Sequence, residues 1–285
     1  MMEKYLSLHL FCPSEYQNQL LKEYTLPFVR NMEQEAFCSS WFFIRYHEGG
    51  AHIRLRLLSF AELHPKIISE ACKRFSKTDF PVDVREQEYV PEIFRYGGGE
   101  PLALAEQQFN LSSATALQLI SSQENWKYGH ALEAAIPVQL SFAFALGADL
   151  KSTAEFFRKC YLSLNAFLPA EAAQIDVKFT FEKAFADQKS HLVPYVSALW
   201  QAMVDKETDE EWMQYWIDEN KQIFCFYDDL LKKGAFYGQS GKSGSREDLW
   251  LTYFSLIHMS NNRLGVVNRD EAWIAYALWK SLSEL

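Results

Sequence analysis

Two arginines two residues apart set the chemistry of this chain. In AHIRLRLL, residues 51–58, apolar and polar side chains alternate strictly. Ile53, Leu55 and Leu57 fall on one side of a strand; His52, Arg54 and Arg56 fall on the other. The two guanidiniums then stand ~7 Å apart, two strand rises. An ordinary solvent-facing strand mixes Lys, Thr and Glu. Paired planar forks suit a carboxylate or an enolate-like oxygen. A second charged set lies in EYVPEIFRYGGGE, residues 88–100. If Pro91 opens a helical turn there, Glu92 and Arg95 share one side at i,i+3 spacing, and Arg95 joins the arginine group. The third is His258, in SLIHMSNNRLGV, residues 255–266. Its helix has core positions at Leu249, Tyr253, Leu256 and Ile257, and a neutral imidazole beside arginines makes a proton carrier near pH 7. No second histidine stands at i+4 and no carboxylate cluster is near, so no metal is expected.

These residues must be placed by the elements around them. WFFIRYHEGGAHIRLRL, residues 41–57, reads as a β-hairpin turning at Gly49-Gly50. Residues 5–11 alternate as a strand. Ser14 opens a helix with Gln17 as its capping-box partner, and Pro27 is expected to kink or shorten it. A second helix spans roughly 61–76 and a last strand 82–89. The order β-α-β-β-α-β predicts a ferredoxin-like sheet over residues 1–98, with both helices on its apolar face. The other face carries Tyr5, His9, Phe11, His52, Arg54 and Arg56. Gly97-Gly98-Gly99 ends this part. From Pro101 the period is helical, with helices near 101–121, 130–147, 150–167, 170–186, 192–204, 208–233, 246–260 and 269–283. Thr208 with Glu211 and Asn268 with Glu271 spell capping boxes. Six tryptophans, Trp200, Trp212, Trp216, Trp250, Trp273 and Trp279, belong to core and helix seams. The fold class is α+β: a ferredoxin-like unit, then a helical unit over 99–285, with a site in the cleft between them.

Composition narrows the partners. The chain has 285 residues, of which 48% are hydrophobic and 15% aromatic. Lys+Arg 28 against Asp+Glu 37 leaves −9. That balance disfavours gripping a nucleic-acid backbone and favours a small anionic target for the local arginines. The five cysteines are scattered with no C-x-x-C, as free thiols in a reducing compartment are. The first residues alternate like a strand, not a signal peptide, and no run reaches ~18 apolar residues. A cytoplasmic, soluble protein without a membrane span is expected. GAFYGQSGKSGS, residues 234–245, ends like a P-loop, but Phe236 stands where that pattern needs glycine, and a helix precedes it. It reads as a flexible loop or lid.

Taken together, WFFIRYHEGGAHIRLRL, EYVPEIFRYGGGE and SLIHMSNNRLGV resemble, in order, the signature blocks of the C-terminal domain of class I lantibiotic dehydratases. The same domain occurs alone as thiopeptide-type bacteriocin biosynthesis protein. In that family a large N-terminal domain glutamylates Ser and Thr of a precursor peptide from glutamyl-tRNA. The C-terminal domain then eliminates glutamate, leaving dehydroalanine or dehydrobutyrine. The resemblance implies a lyase without cofactor, acting on a glutamylated precursor peptide beside a separate glutamylating protein that handles the tRNA. It implies catalytic roles for Arg54, Arg56, Glu92, Arg95 and His258, with His52, Arg45 and Arg263 of the same blocks binding substrate. Which of them abstracts the Cα proton is left open. Stand-alone relatives also include pyridine synthases, which join two dehydroalanines in a formal [4+2] cycloaddition. A non-catalytic peptide-binding subunit is the remaining alternative.

Overall fold

Alternation in β1 and β3, and an aromatic, β-branched run in β2, build a sheet of four antiparallel strands in the order β2-β3-β1-β4. They are β1 (Glu3–Phe11), β2 (Ser40–Tyr46), β3 (His52–Phe60) and β4 (Asp83–Gln87) in a computed structural model that describes residues 2–166, 174–208 and 210–285. The register pairs Leu8 with Leu55 and Leu55 with Phe43 on one face. On the other, His9 pairs with Arg54 and Arg54 with Ile44. The apolar face is sealed: Leu6, Leu8, Leu10, Ile53, Leu55 and Leu57 are buried with Phe28, Val29 and Met32 of α2 (Leu26–Gln34) and Ile67, Ala71 and Phe75 of α3 (His64–Phe75). β4 is shorter than expected, and Tyr89 leaves the sheet ahead of Pro91.

Two local expectations change at the first connection. Pro13, not Ser14, precedes the opening 3-10 turn, and no side-chain cap forms there. Gln17, at the start of α1 (Gln17–Gln19), is buried instead and accepts from an Arg45 Nη at 3.4 Å. Pro27 does not end the helical run, which continues through α2. The irregularity falls just before it, as a π-helical segment over Leu20–Thr25.

The remainder is helical: α4 (Gly99–Ser122), α5 (Tyr128–Ala145), α6 (Leu150–Ala166), α7 (Gln174–Asp205), α8 (Glu211–Lys232), α9 (Arg246–Leu264) and α10 (Asn268–Leu282). The helices expected over 170–186 and 192–204 merge into α7, because residues 187–191 are polar but contain no breaker, and Pro194 is carried inside the helix. The start expected at 170 lies outside the described residues. α8 begins without a Thr208 cap; its N-cap is Glu210 with no side-chain bond. Ser245 and Asp248 do form a capping box on α9. α10 takes Val267 as N-cap, which moves Glu271 inward to 2% exposure. Trp212 and Trp216 are buried, and Trp200, Trp250, Trp273 and Trp279 pack against the same core. No described helix is long and apolar enough to cross a membrane.

Helices reach the sheet through the outer edge of β2. Asn262 of α9 clamps Arg45 like a neighbouring strand: its Oδ1 accepts the Arg45 N–H at 2.9 Å and its Nδ2 donates to the Arg45 carbonyl at 3.0 Å. On α4, Ser113 Oγ accepts the Phe43 N–H at 3.1 Å and Asn110 Nδ2 donates to the Trp41 carbonyl at 2.7 Å. Side chains thus satisfy backbone groups that an edge strand would leave open.

Candidate active site

The cationic sheet face, the glycine-rich turn and α9 enclose a cleft of about 370 Å³. Its sheet wall holds Phe42, Ile44, Tyr46, Arg54 and Arg56; the turn gives Glu92, Arg95 and Tyr96; the helices give Phe109, His258, Met259 and Asn262. All five residues expected to do chemistry therefore line one space.

Arg54 and Arg56 are held differently. The Arg54 guanidinium carbon lies 3.4 Å from the centroid of the Tyr46 ring, and its Nε donates to His52 Nε2 at 3.1 Å. His52 Nδ1 stands 2.7 Å from the Gly50 carbonyl and must carry the proton. The imidazole is thereby the neutral tautomer whose lone pair receives Arg54. Burial lowers the His52 pKa most; the Gly50 bond works against this, and Arg54 works with it. Arg56 is 8% exposed and sits 4.7 Å from the Tyr89 ring centroid and 5.4 Å from that of Phe42. Its Nε has no hydrogen-bond partner, and neither strand arginine forms an ion pair among the described residues. Burial pushes its pKa down to about 10, with Arg54 adding to the effect. Tyr89 and the charge of Glu106 oppose that shift only in part. A buried cation without an ion pair is costly, and an anion entering the cleft relieves that cost.

Arg95 rides on a 3-10 turn, Ile93–Tyr96, that Glu92 precedes. One Nη reaches both Glu92 oxygens, at 3.1 and 3.2 Å, and Nε donates to Ser255 Oγ at 3.2 Å. Gly97 ends the turn at φ +100, and a Cβ there would lie 2.3 Å from the Phe236 ring. The Tyr237 N–H donates to the Gly97 carbonyl at 2.7 Å, so the loop of residues 236–245 braces the turn that carries Arg95.

His258 faces the cleft from α9, and its Nδ1 lies 2.9 Å from Glu271 Oε2. Burial depresses the imidazole, but the Glu271 hydrogen bond and charge outweigh it, so the pKa stands above the ordinary histidine value; Arg95 pulls weakly the other way. Glu271 is a residue that sequence reasoning assigned to helix capping. The signal was there: Ile274, Ala275, Leu278 and Leu282, at +3, +4, +7 and +11, put this carboxylate on the apolar face of α10.

Three further residues have other positions. Arg45 borders the cleft, but its guanidinium is occupied by the Arg263 carbonyl at 3.0 Å, Asn18 Oδ1 at 2.7 Å and Gln17 Oε1 at 3.4 Å. His52 does not line the cleft; it backs Arg54 and stacks on His9 at 4.9 Å between ring centroids. Arg263 does not line it either: it is fully buried, donates from Nε to Ser113 Oγ at 2.9 Å, and lies 5.1 Å from the ring centroid of Phe109, a cleft residue. Its two Nη groups have no partner, and burial pushes its pKa down to about 9. Among the described residues no group of three His, Cys, Asp or Glu is placed to hold a metal ion. The cleft instead offers guanidinium and imidazole donors for a developing negative charge, with Glu92 the carboxylate on its wall.

Fold and site define an α+β chain with a cleft of arginines, a histidine and a carboxylate between its sheet and its helices. Residues 6–282 match the profile of the family described as "Lantibiotic biosynthesis dehydratase C-term", and the chain belongs to that family. The epidermin biosynthesis protein EpiB of Staphylococcus epidermidis is 30% identical over 128 residues, which cover 43% of this chain and 13% of EpiB. The matched stretch is thus a small part of that relative's length. Among solved structures, TsrL superposes with a TM-score of 0.77 at 14% identity, covering 99% of this chain and 95% of TsrL. The tRNA-dependent lantibiotic dehydratase MibB from Microbispora sp. 107891 gives 0.68 at 20% identity, over 96% of this chain and 27% of MibB. TbtD, the pyridine synthase of thiomuracin biosynthesis, gives 0.74 at 11% identity over 99% of both chains. At these identities the likeness to the three structures is one of fold.

Proposed function

We propose that this chain eliminates glutamate from glutamylated Ser and Thr of a precursor peptide, leaving dehydroalanine or dehydrobutyrine. The observation that carries this reading is the convergence of Arg54 and Arg56, without carboxylate partners among the described residues, on the cleft that His258 also lines. Removal of the Cα proton puts negative charge on the neighbouring amide oxygen. The Cα=Cβ bond then forms as the Cβ–O bond breaks, and the glutamate carboxylate departs. Arg54 and Arg56 receive the enolate and the glutamyl carboxylate, with Arg95 beside them. Glu92 is the carboxylate available to take the Cα proton, and His258 serves the departing group. Arg263 and His52 support this set from outside the cleft. The glutamyl groups come from a separate glutamyl-tRNA-dependent protein in the cytoplasm; this chain contacts no nucleic acid itself. We also assign the sheet unit to the ferredoxin-like type, which its element order supports.

The test is incubation of the purified protein with glutamylated precursor peptide. Conversion to a dehydrated peptide with release of glutamate supports the reading. Unchanged peptide under conditions where the protein binds it would overturn it. A second reading, pyridine-forming cycloaddition, is favoured by the match with TbtD over 99% of both chains. A peptide already carrying two dehydroalanines separates them: a cycloaddition enzyme consumes it, and an elimination enzyme does not.

A further inference from the structure

The His258–Glu271 pair is built more deeply than a surface contact. Glu271 lies on the core face of α10 at 2% exposure, while the His258 side chain retains 27% exposure toward the cleft. One imidazole nitrogen is taken by the carboxylate at 2.9 Å, so Nε2 is the nitrogen left to meet a substrate. A carboxylate in this environment is costly unless it is paired, and the imidazolium form of His258 supplies that pairing. The charged neighbours are few. Arg95, paired with Glu92, faces His258 from the 3-10 turn and its flank, and Arg54 and Arg56 line the opposite sheet wall. The Cys160 thiol of α6 and the Tyr128 hydroxyl of α5 feel the charge of Glu271, and Tyr128 itself donates to Asp270, one residue away. None of these supplies a second cation to Glu271.

We propose that Glu271 is a positioning residue that fixes His258 with Nδ1–H turned inward and holds the ring as an imidazolium. His258 is then an acid, not the base, a role that rests on the elimination reading. A base takes the Cα proton, and the C–H pair becomes the Cα=Cβ bond. The Cβ–O pair goes to the departing carboxylate, which receives the Nε2 proton. Solvent returns a proton to the ring. The raised imidazole pKa agrees with this geometry.

Two measurements test it. The first is an NMR titration of the His258 Cε1–H in substrate-free protein, assigned by its loss in His258→Asn. Wild type should titrate above the ordinary ~6.5, and Glu271→Gln, which keeps an acceptor but removes the charge, should lower the midpoint by about one to three pH units. A wild-type midpoint at or below the ordinary value, or no movement in Glu271→Gln, overturns the proposal; the wild-type arm needs no variant to fold. The second is the pH profile of elimination from glutamylated peptide. The alkaline limb of kcat should move down with the titration in Glu271→Gln, and Glu271→Asp should restore most of it, with KM little changed. An alkaline limb that stays put while the titration moves overturns the acid role. Absence of turnover in wild type instead counts against the elimination reading, and the titration alone then decides whether Glu271 holds the ring charged.

Discussion

Arg56 is the most informative single side chain, because it is a buried cation with aromatic rings on its flanks, no direct ion pair among the described residues, and the charge of Glu106 as its nearest acidic compensation. Replacing Arg56 or Arg54 by alanine should cost about 3 kcal/mol of barrier, roughly 100-fold in rate. Coupled to a glutamylating partner, either variant should accumulate peptide carrying added glutamates without water loss, read by mass, with the folding of each variant verified by its melting curve. His52→Ala should lower kcat as well, through Arg54, whose Nε loses its acceptor. At this scale the sequence was readable where residue type and spacing are unusual together, as in H-x-R-x-R and the Glu92/Arg95 pair. It misled where a local rule was satisfied by the wrong residue. Asn268 and Glu271 spell a capping box, yet burial beside His258 outweighs the few orphan N–H groups that a cap would satisfy.

At the scale of elements, alternation made β1 and β3 legible, and aromatic and β-branched content made β2 so. Helix ends were less so: α7 runs through the polar residues 187–191 because nothing there stops it, and Thr208 loses the start of α8 to Glu210. The edge of β2 was invisible, because a side-chain amide that imitates a strand leaves no periodic mark. Its importance is testable. Asn262→Leu removes both bonds to Arg45 and should destabilise the protein by about 1–3 kcal/mol in urea unfolding. The glycine turn gives a sharper case. Gly97→Ala meets both a left-handed φ of +100 and a Cβ position 2.3 Å from Phe236. It should lose stability and elimination rate together, since Arg95 is carried on the turn that shifts. Gly99→Ala, where a Cβ meets nothing within 4 Å, is the control and should do neither.

Across the whole molecule, histidines on the two sides of the structure are pushed in opposite directions. His9 is lowered to about 4, chiefly by burial and then by Arg54, and His52 is lowered as well. A histidine held neutral by the fold leaves stability intact above its ordinary ~6.5 and erodes it as pH falls from there toward 4. His258 has the other sign: its raised value makes its contribution fully present below ~6.5 and lost as pH rises through the folded-state midpoint. Melting temperature against pH should therefore fall away on both flanks. His9→Asn should make the acid flank shallower, leaving the share of His52, and His258→Asn should flatten the alkaline flank. The overall architecture was legible because the sequence switches from period two to helical period at the three glycines. The cleft volume and the placement of Arg263 and His52 behind its lining depend on tertiary packing that no local pattern encodes.

The clamp of Asn262, Ser113 and Asn110 on β2 bears on whether the chain can be divided. Produced alone, residues 1–98 would present the N–H groups of Phe43 and Arg45 and the carbonyls of Trp41 and Arg45 with no partners. Such an edge recruits a copy of itself, so the fragment should self-associate. Supplied in trans with residues 99–285, it should find the missing amides and hydroxyl instead. The two pieces should then co-purify as a one-to-one heterodimer, and the Asn262→Leu form of the larger piece should fail to rescue the smaller.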